Sequence, residues 1–182
     1  MQRPEKRSET GRTLFSLDSL VKSQEKYLKR MDVTVIRNSE INSNHNEITF
    51  SPDTSFWDKE LGIFSSADIG KPSLYSRYRI EKSDSTGLMY TNYIAIDPAI
   101  NGTTLMAVGR DSSDRIVRIM VLQQEKNKIF RRRRNMILNF RDDPSAGYNI
   151  ISGYHVKGYQ KMLLRKRTDY TVTVQLKRNG SV

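Results

Sequence analysis

The segment Ile129–Phe140, with the sequence IFRRRRNMILNF, constrains the fold more than any other part of the chain. Neighbouring residues of a β-strand point to opposite faces, so a strand here divides the four arginines between two faces. One face carries Phe130, Arg132, Arg134, Met136, Leu138 and Phe140. The opposite face carries Ile129, Arg131, Arg133, Asn135, Ile137 and Asn139. The pattern predicts a long strand, cationic at one end and apolar at the other, in the middle of a large antiparallel sheet.

Short segments of alternating apolar and polar residues follow one another from residue 74 onward, separated by turn residues and without helices between them. The predicted strands cover residues 74–81, 88–96, 103–108, 116–122, 129–140, 148–156, 159–164 and 170–176. Segments joined in this way pair as an antiparallel meander, because parallel pairing would need a long crossover between every two strands.

Two helices are predicted in the first third of the chain. Ser16 can cap the first helix, whose apolar stripe runs through residues 17–31. The second helix is expected over residues 54–66, where Trp57 falls on the apolar face. A hairpin separates the two helices, with strands over residues 32–37 and 47–50 joined by a polar loop rich in Asn and Ser. The sequence therefore predicts an α+β fold, with two N-terminal helices packed on a curved, mainly antiparallel sheet (a half-barrel) of about seven to nine strands.

The domain organisation is simple. Residues 1–13 are polar and charged without apolar periodicity, and they are predicted to form a flexible leader. Residues 14–182 are predicted to form a single α+β domain, because their length suits one hydrophobic core. No run of about 18 apolar residues predicts a transmembrane segment, and the absence of cysteine excludes disulfides and thiolate chemistry.

Positive charge is concentrated in the second half of the chain. Residues 1–90 hold 14 Lys and Arg against 13 Asp and Glu, whereas residues 91–182 hold 17 against 7. A positive field over one half of the molecule would attract nucleic acid, phospholipid head groups or acidic glycans. A solvated surface that keeps the protein soluble would carry the same charges.

The chain lacks the usual residues of catalysis. No zinc-binding, phosphate-loop, dinucleotide-binding or nucleophile-elbow motif is present, and the two histidines lie far apart in the sequence. The acidic pairs at 111/114 and 142/143 occur in predicted turns, where aspartate is favoured for its hydrogen bonds to the local backbone. We therefore expect no enzyme activity, no catalytic residue, no metal site and no cofactor.

The arginine run supplies the candidate binding site. An unpaired buried guanidinium is costly, so the inward pair Arg132 and Arg134 must meet acids, reach past the sheet edge or line a wet cavity. An anion site built on that pair is one interpretation, and solvated or salt-bridged arginines are the other. The candidate ligand-binding residues are Arg131, Arg132, Arg133, Arg134, Lys161, Arg165 and Arg167.

Three segments of the chain resemble uncharacterised bacterial cell-envelope lipoproteins in their mature part. They are TLFSLDSLVKSQEKYLKRM (residues 13–31), FSPDTSFWDKELGIF (residues 50–64) and GYQKMLLRKRTDYTVTVQL (residues 158–176). The predicted fold is also similar to the half-barrels of the LolA and LolB lipoprotein carriers. The resemblance implies a periplasmic or outer-membrane location with a lipid anchor in the native form. A native start at Met1 would instead imply a cytoplasmic protein.

The leading functional hypothesis is a non-enzymatic cell-envelope domain that binds an amphiphilic or anionic, lipid-like ligand, or a partner protein, on its sheet. The alternative is a polyanion or nucleic-acid binding protein that uses the basic ranges 126–141 and 157–167. Tyr148, Tyr154, Tyr159 and Tyr170 could then stack on bases. An enzyme with scattered carboxylates is a third hypothesis. The oligomeric state and the identity of any ligand are open.

Overall fold

The computed structural model describes residues 13–179. Within them it contains three α-helices, one 3₁₀-helix and nine β-strands. The helices are α1 (Leu17–Leu28), α2 (Thr54–Glu60), α3 (Gly62–Ser65) and the 3₁₀-helix Pro72–Arg77. The strands are β1 (Val33–Ile41), β2 (Asn44–Phe50), β3 (Tyr78–Ser85), β4 (Leu88–Ala95), β5 (Gly102–Arg110), β6 (Ile116–Lys126), β7 (Phe130–Arg141), β8 (Ile150–Met162) and β9 (Thr168–Arg178).

All nine strands form one antiparallel sheet in the order β2-β1-β9-β8-β7-β6-β5-β4-β3. Strands β3 to β9 are a meander in which each strand pairs with the next along the chain. The hairpin of β1 and β2 adds to the free edge of β9. The sheet is open, with β2 and β3 at its two edges. The predicted α+β class and antiparallel sheet are therefore confirmed.

The number of helices differs from the prediction. Only α1 precedes the first strand, so two N-terminal helices are not found. The second predicted helix, over residues 54–66, is divided into α2 and α3, because Leu61 ends one helix and begins the other. Gly62 follows this break, and glycine is a poor residue for the interior of a longer helix. The 3₁₀-helix begins at Pro72 and includes residues 74–77, which the alternation had assigned to the first strand of the meander.

Helix α1 is stabilised by its N-cap, by an acidic residue in its first turn and by its buried apolar stripe. The Ser16 side chain accepts a hydrogen bond from the amide of Ser19, and Asp18 lies in the positively polarised first turn. The apolar stripe is buried and includes Leu17, Val21 and Leu28. Burial of this stripe supplies more stability than helix propensity can in a helix of three turns.

The helices cover one face of the sheet, here called the core face. Helix residues such as Leu17, Trp57 and Phe64 belong to the same buried cluster as sheet residues such as Met136 and Val174. Trp57, which is 1% exposed, is core filling as predicted. The opposite face, here called the outer face, receives no helix from the described part of the chain.

Strand β8 runs without interruption through a region where the sequence predicted two strands with a break at residues 157–158. Gly158 lies inside the strand, and a Cβ atom placed on it would come 2.4 Å from the carbonyl oxygen of Arg133. This glycine is therefore needed for a close approach between two strands, not for a turn. The predicted polar loop after β1 is likewise a tight turn at Asn42 and Ser43, both with positive φ.

Candidate functional site

The arginine run lies in β7, and its side chains alternate between the two faces as predicted. Arg132 and Arg134 are half-buried on the core face, which they share with the fully buried Met136. Arg131 and Arg133 are exposed on the outer face. The four guanidinium groups therefore belong to two different environments.

The two inward arginines have partners on other strands: Arg132 on the neighbouring β6 and Arg134 on β9, which lies beyond β8. Arg132 forms an ion pair with Glu125 of β6, which lies directly opposite it, and its guanidinium carbon is 5.8 Å from the centre of the Phe130 ring. Arg134 donates a hydrogen bond of 3.2 Å to the hydroxyl of Tyr170. These contacts satisfy the requirement that half-buried guanidinium groups be paired or hydrogen-bonded. They also link β7 to β6 and, across β8, to β9.

Three cations from three neighbouring strands form a straight line on the outer face. Arg131 lies directly opposite Lys126 of β6 on one side and Lys161 of β8 on the other. Cross-strand partners have Cα atoms about 4.5–5.5 Å apart. We call these three side chains, Lys126, Arg131 and Lys161, the cation row.

The positive surface continues along the outer face beyond the cation row. Arg133 lies opposite Tyr159 of β8. Lys157, two residues earlier in β8, lies on the same face. The guanidinium of Arg167 lies over the Tyr159 ring at 4.0 Å and donates to Asp169 at 2.5 and 3.0 Å. We call the whole surface the basic patch; its six cations are Lys126, Arg131, Arg133, Lys157, Lys161 and Arg167.

Most of this charge is not neutralised within the part of the chain that the structure describes. Arg167 has its partner in Asp169, while the other five cations of the basic patch have no ion pair among residues 13–179. Like charges directly opposite one another destabilise a sheet. A shallow cavity of about 300 Å³ lies against the patch. It is lined by Gln124, Lys126, Arg131, Arg133 and Tyr159, and also by Ala99 and the ion-paired Glu125 and Arg132.

The outer face becomes apolar further along the same strands. Leu122 and Met120 precede Gln124 in β6 by two and four residues, so they lie on the same face, and both are half-buried. Ile137 of β7 pairs with Met120, and Leu105 of β5 pairs with Leu122. We call these four side chains the apolar band. The outer face is thus amphiphilic, with a cationic part and an apolar part on adjoining residues.

The structure brings some of the predicted site residues together and separates others. Arg131, Arg133, Lys161 and Arg167 meet on the outer face, whereas the inward pair points to the core face. Arg165 is exposed in the turn between β8 and β9. The sequence analysis had listed the inward pair together with Lys161, Arg165 and Arg167 in one candidate site, because the strand register could not be read from the chain.

Two further residues of the basic patch had no individual signal in the sequence. Lys126 and Lys157 were included in broad basic ranges, but nothing singled them out as neighbours of the arginines. For Lys126, the signal that could have found it is the length of the turn at residues 127–129, whereas the position of Lys157 depends on the register of β8 against β7. A short turn sets Lys126 opposite Arg131 and Glu125 opposite Arg132.

None of the tyrosines named for base stacking offers a free ring on the basic patch. Tyr154 is buried on the core face, and Tyr170 accepts the hydrogen bond from Arg134 there. Tyr148 packs against Tyr27 with ring centres 5.8 Å apart, outside the patch. Tyr159 does lie in the patch, but Arg167 covers one face of its ring. The basic patch therefore offers cations but no tyrosine ring that is open on both faces.

The carboxylates with notable environments have structural partners. Burial raises the pKa of Glu60, and Arg37 at 3.4 Å opposes that effect. Tyr154 donates a hydrogen bond to the same carboxylate, which fastens the end of α2 to β8. Asp111 accepts hydrogen bonds from the amides of Ser113 and Arg115, as expected of aspartate in a turn.

Metal-binding clusters and membrane-spanning helices are both missing from residues 13–179. In residues 13–179, no group of three or more His, Cys, Asp or Glu side chains is arranged to hold a metal ion. No helix in the same range is both long and apolar enough to cross a membrane.

The chain matches no protein-family model, and no curated protein or solved structure is similar to it at a significant level.

Proposed function

We propose that this protein is a non-enzymatic binding domain that holds an anionic ligand in the basic patch. The observation that carries the proposal is the cation row, in which Lys126, Arg131 and Lys161 face one another across three strands. Such a row weakens the sheet when it is empty, because the charges repel. A phosphate, sulfate or carboxylate group bound between the side chains turns that repulsion into attraction.

The ligand that fits best is amphiphilic as well as anionic. Its charged group binds at the basic patch, and its apolar part lies along the apolar band formed by Leu105, Met120, Leu122 and Ile137. The half-buried state of these four side chains supports this arrangement, since an apolar chain would remove their remaining surface from water. The core face offers less, because helix side chains already pack against it.

The alternative function, nucleic-acid binding, is less well supported. Single-stranded nucleic acids are held by aromatic rings as well as by cations, and each stacked base contributes substantially to affinity. The one tyrosine in the basic patch, Tyr159, has a ring face covered by Arg167. A purely electrostatic association with nucleic acid would still use the same cations, and it would weaken steeply with added salt.

A pair of double variants in β7 tests the proposal. Arg131→Gln/Arg133→Gln removes two charges from the outer face, and Arg132→Gln/Arg134→Gln removes two charges from the core face. Both variants have the same net charge, so any difference between them reports the position of the charge. The probes are inorganic polyphosphate and monomeric lysophosphatidylglycerol, with binding measured by isothermal titration calorimetry. The circular dichroism spectrum of each variant checks that it is folded.

The outer double variant is expected to lose at least about tenfold in affinity for both probes, and the inner double variant less than about threefold. Tighter binding of lysophosphatidylglycerol than of a phosphate monoester would support a contribution from the apolar band. Equal losses in the two variants would mean that net charge alone attracts the probe. The proposal of a site on the outer face would then be rejected.

We further propose that the domain acts in the bacterial cell envelope, as a lipoprotein related in shape to the half-barrel carriers. The features that support this are the residues of ranges 13–31, 50–64 and 158–176 and an open antiparallel sheet with helices on one face. An anionic amphiphile is also a ligand that an envelope supplies in quantity. Sequencing the gene upstream of Met1 tests the proposal, because a signal peptide ending in a lipidation cysteine is required. Its absence would reject the envelope location.

A further inference from the structure

Four apolar side chains are exposed together at one end of the sheet. Ile129 lies in the turn between β6 and β7, while Met162, Leu163 and Leu164 lie at the end of β8. They are 60%, 44%, 62% and 98% exposed. The amide of Leu163 donates a hydrogen bond of 2.8 Å to the carbonyl of Ile129, so the two turns are joined. We call these four residues the apolar tip.

The chain shows no reason internal to the fold for leucine at the outermost position. Leu164 makes almost no contact that removes it from water, and its φ of +62° belongs to the left-handed region. Glycine or asparagine would adopt that conformation at lower cost. An apolar residue that is both exposed and unfavourable for its backbone conformation indicates that its side chain is used outside the folded monomer.

The surroundings of the apolar tip are entirely cationic in sequence. The two segments that form it are KNKIFR (residues 126–131) and KMLLRKR (residues 161–167), and neither contains an acid. Their seven cations are Lys126, Lys128, Arg131, Lys161, Arg165, Lys166 and Arg167. Three of these belong to the cation row, which begins directly beside the tip on the outer face. Apolar residues flanked by Lys and Arg match the layers of an anionic bilayer, in which acyl chains lie below charged head groups.

We propose that the apolar tip docks this domain onto an anionic lipid bilayer. Ile129, Leu163 and Leu164 enter the boundary between head groups and acyl chains, while the surrounding cations bind the head groups. The inference rests on the proposed function and deepens it, since the cation row would then receive phosphates of the lipid surface. A long, flexible cation can also extend its aliphatic stem along the apolar layer and keep its charge in water.

The bilayer is favoured over other partners by the shape and chemistry of the tip. Ile129, Met162 and Leu163 line a shallow cavity of about 220 Å³, and Leu164 is 98% exposed beside it. Side chains as exposed as Leu163 and Leu164 can enter a deformable apolar layer, which needs no matching pocket as a rigid protein surface would. Docking by this end would also set the basic patch close to the head groups. A lipid-like ligand could then pass between the membrane and the outer face without crossing bulk water.

Vesicle cosedimentation of the full chain tests the inference. The vesicles are phosphatidylcholine alone and phosphatidylcholine with about 30% phosphatidylglycerol at low ionic strength. The test variant is Leu163→Ser/Leu164→Ser, and the matched control is Met89→Ser/Ile96→Ser, which removes two exposed apolar side chains at the other side of the sheet. The emission of Trp57, a buried residue, reports whether each variant is folded.

Wild type and the control variant are expected to bind the anionic vesicles, and the tip variant to bind at least about tenfold more weakly. The tip variant should keep its affinity for polyphosphate, because its charges are intact. In a Leu164→Trp variant, the added tryptophan should shift its emission to shorter wavelength when anionic vesicles are added. This emission shift reports whether residue 164 itself enters an apolar environment, which cosedimentation does not show.

Other outcomes separate the inference from the proposed function. Wild type that binds polyphosphate but not anionic vesicles overturns the docking inference and leaves the anion site standing. Wild type that binds neither rejects both. Vesicle binding that is unaffected by loss of the two leucines assigns the interaction to charge alone and overturns the inference. Self-association that is abolished in the tip variant, without vesicle binding by wild type, would identify a second copy of the chain as the occupant.

Discussion

Arg131 is flanked by a like charge on each side, so its replacement by glutamate should change both contacts from repulsive to attractive. Its neighbours across the strands are Lys126 and Lys161. A cross-strand pair of opposite charges contributes about 0.2–1 kcal/mol relative to an alanine pair, and a like-charged pair costs a similar amount. Because Arg131 is exposed, the lower end of that range, about 0.2–0.3 kcal/mol for each lost repulsion or gained attraction, applies. Two pairs together give an expected gain of about 1 kcal/mol for Arg131→Glu.

Urea denaturation at low ionic strength measures this gain, and thermal denaturation should show a rise in Tm of about 2–4 °C for a chain of this size. Arg131→Gln should give roughly half the gain, because it removes the repulsion and adds no attraction. The matched control is Lys82→Glu. It makes the same change in net charge on β3, four strands away, where Lys82 lies opposite the uncharged Thr91. Its stability should stay within about 0.5 kcal/mol of wild type.

Salt provides the second arm of the experiment. The Debye length falls from about 10 Å at 0.1 M salt to about 3 Å at 1 M, so the gain from Arg131→Glu should largely disappear at high salt. The same variant is expected to lose polyphosphate binding. A variant that is no more stable than wild type at low salt, or whose gain is indifferent to salt, would show that the cation row carries no repulsion. The physical basis of the proposed site would then be lost.

Three further predictions concern the fold that supports the site. Burial raises the pKa of Glu60, so this residue lowers the stability of the fold as pH rises through and above the ordinary carboxyl range. Glu60→Gln should therefore be more stable than wild type at about pH 7. Urea unfolding should show that the difference vanishes near about pH 4. Gly158→Ala should lose about 1–3 kcal/mol, because the new methyl group meets a backbone oxygen at 2.4 Å, whereas Gly62→Ala, with open space around it, should lose nothing. Leu138→Ala should lose about 2–5 kcal/mol by calorimetry or urea unfolding, since the side chain is fully buried, whereas exposed Leu164→Ala should change stability by less than about 0.5 kcal/mol.

Local features of the structure could be predicted from the sequence because their causes are local. The alternation in Ile129–Phe140 gave the correct strand and the correct face for every arginine, since the period of side chains along a strand is two. Ser16 and the apolar stripe behind it gave the first helix. The run of alternating segments without intervening helices gave the antiparallel meander and the α+β class.

The strand boundaries were less predictable where one residue type serves two purposes. Gly158 looked like a break between strands, but in the fold it permits the close approach of β7 and β8. The polar residues after β1 looked like a loop, yet Asn42 and Ser43 alone make the turn. In both cases the sequence shows which residue is unusual, and only the neighbouring strand shows what the residue is for.

The binding site shows the same division. By itself, the sequence determined that the arginines separate into an inward and an outward pair and that the second half of the chain is basic. It could not determine which cations become neighbours, because register across strands depends on turn lengths and on the packing of the core face. Only the tertiary structure set Lys126, Arg131 and Lys161 in one row, gave Arg132 its acid, and brought the exposed leucines beside them. Each of those contacts joins residues that lie on different strands, so their proximity is a property of the folded sheet.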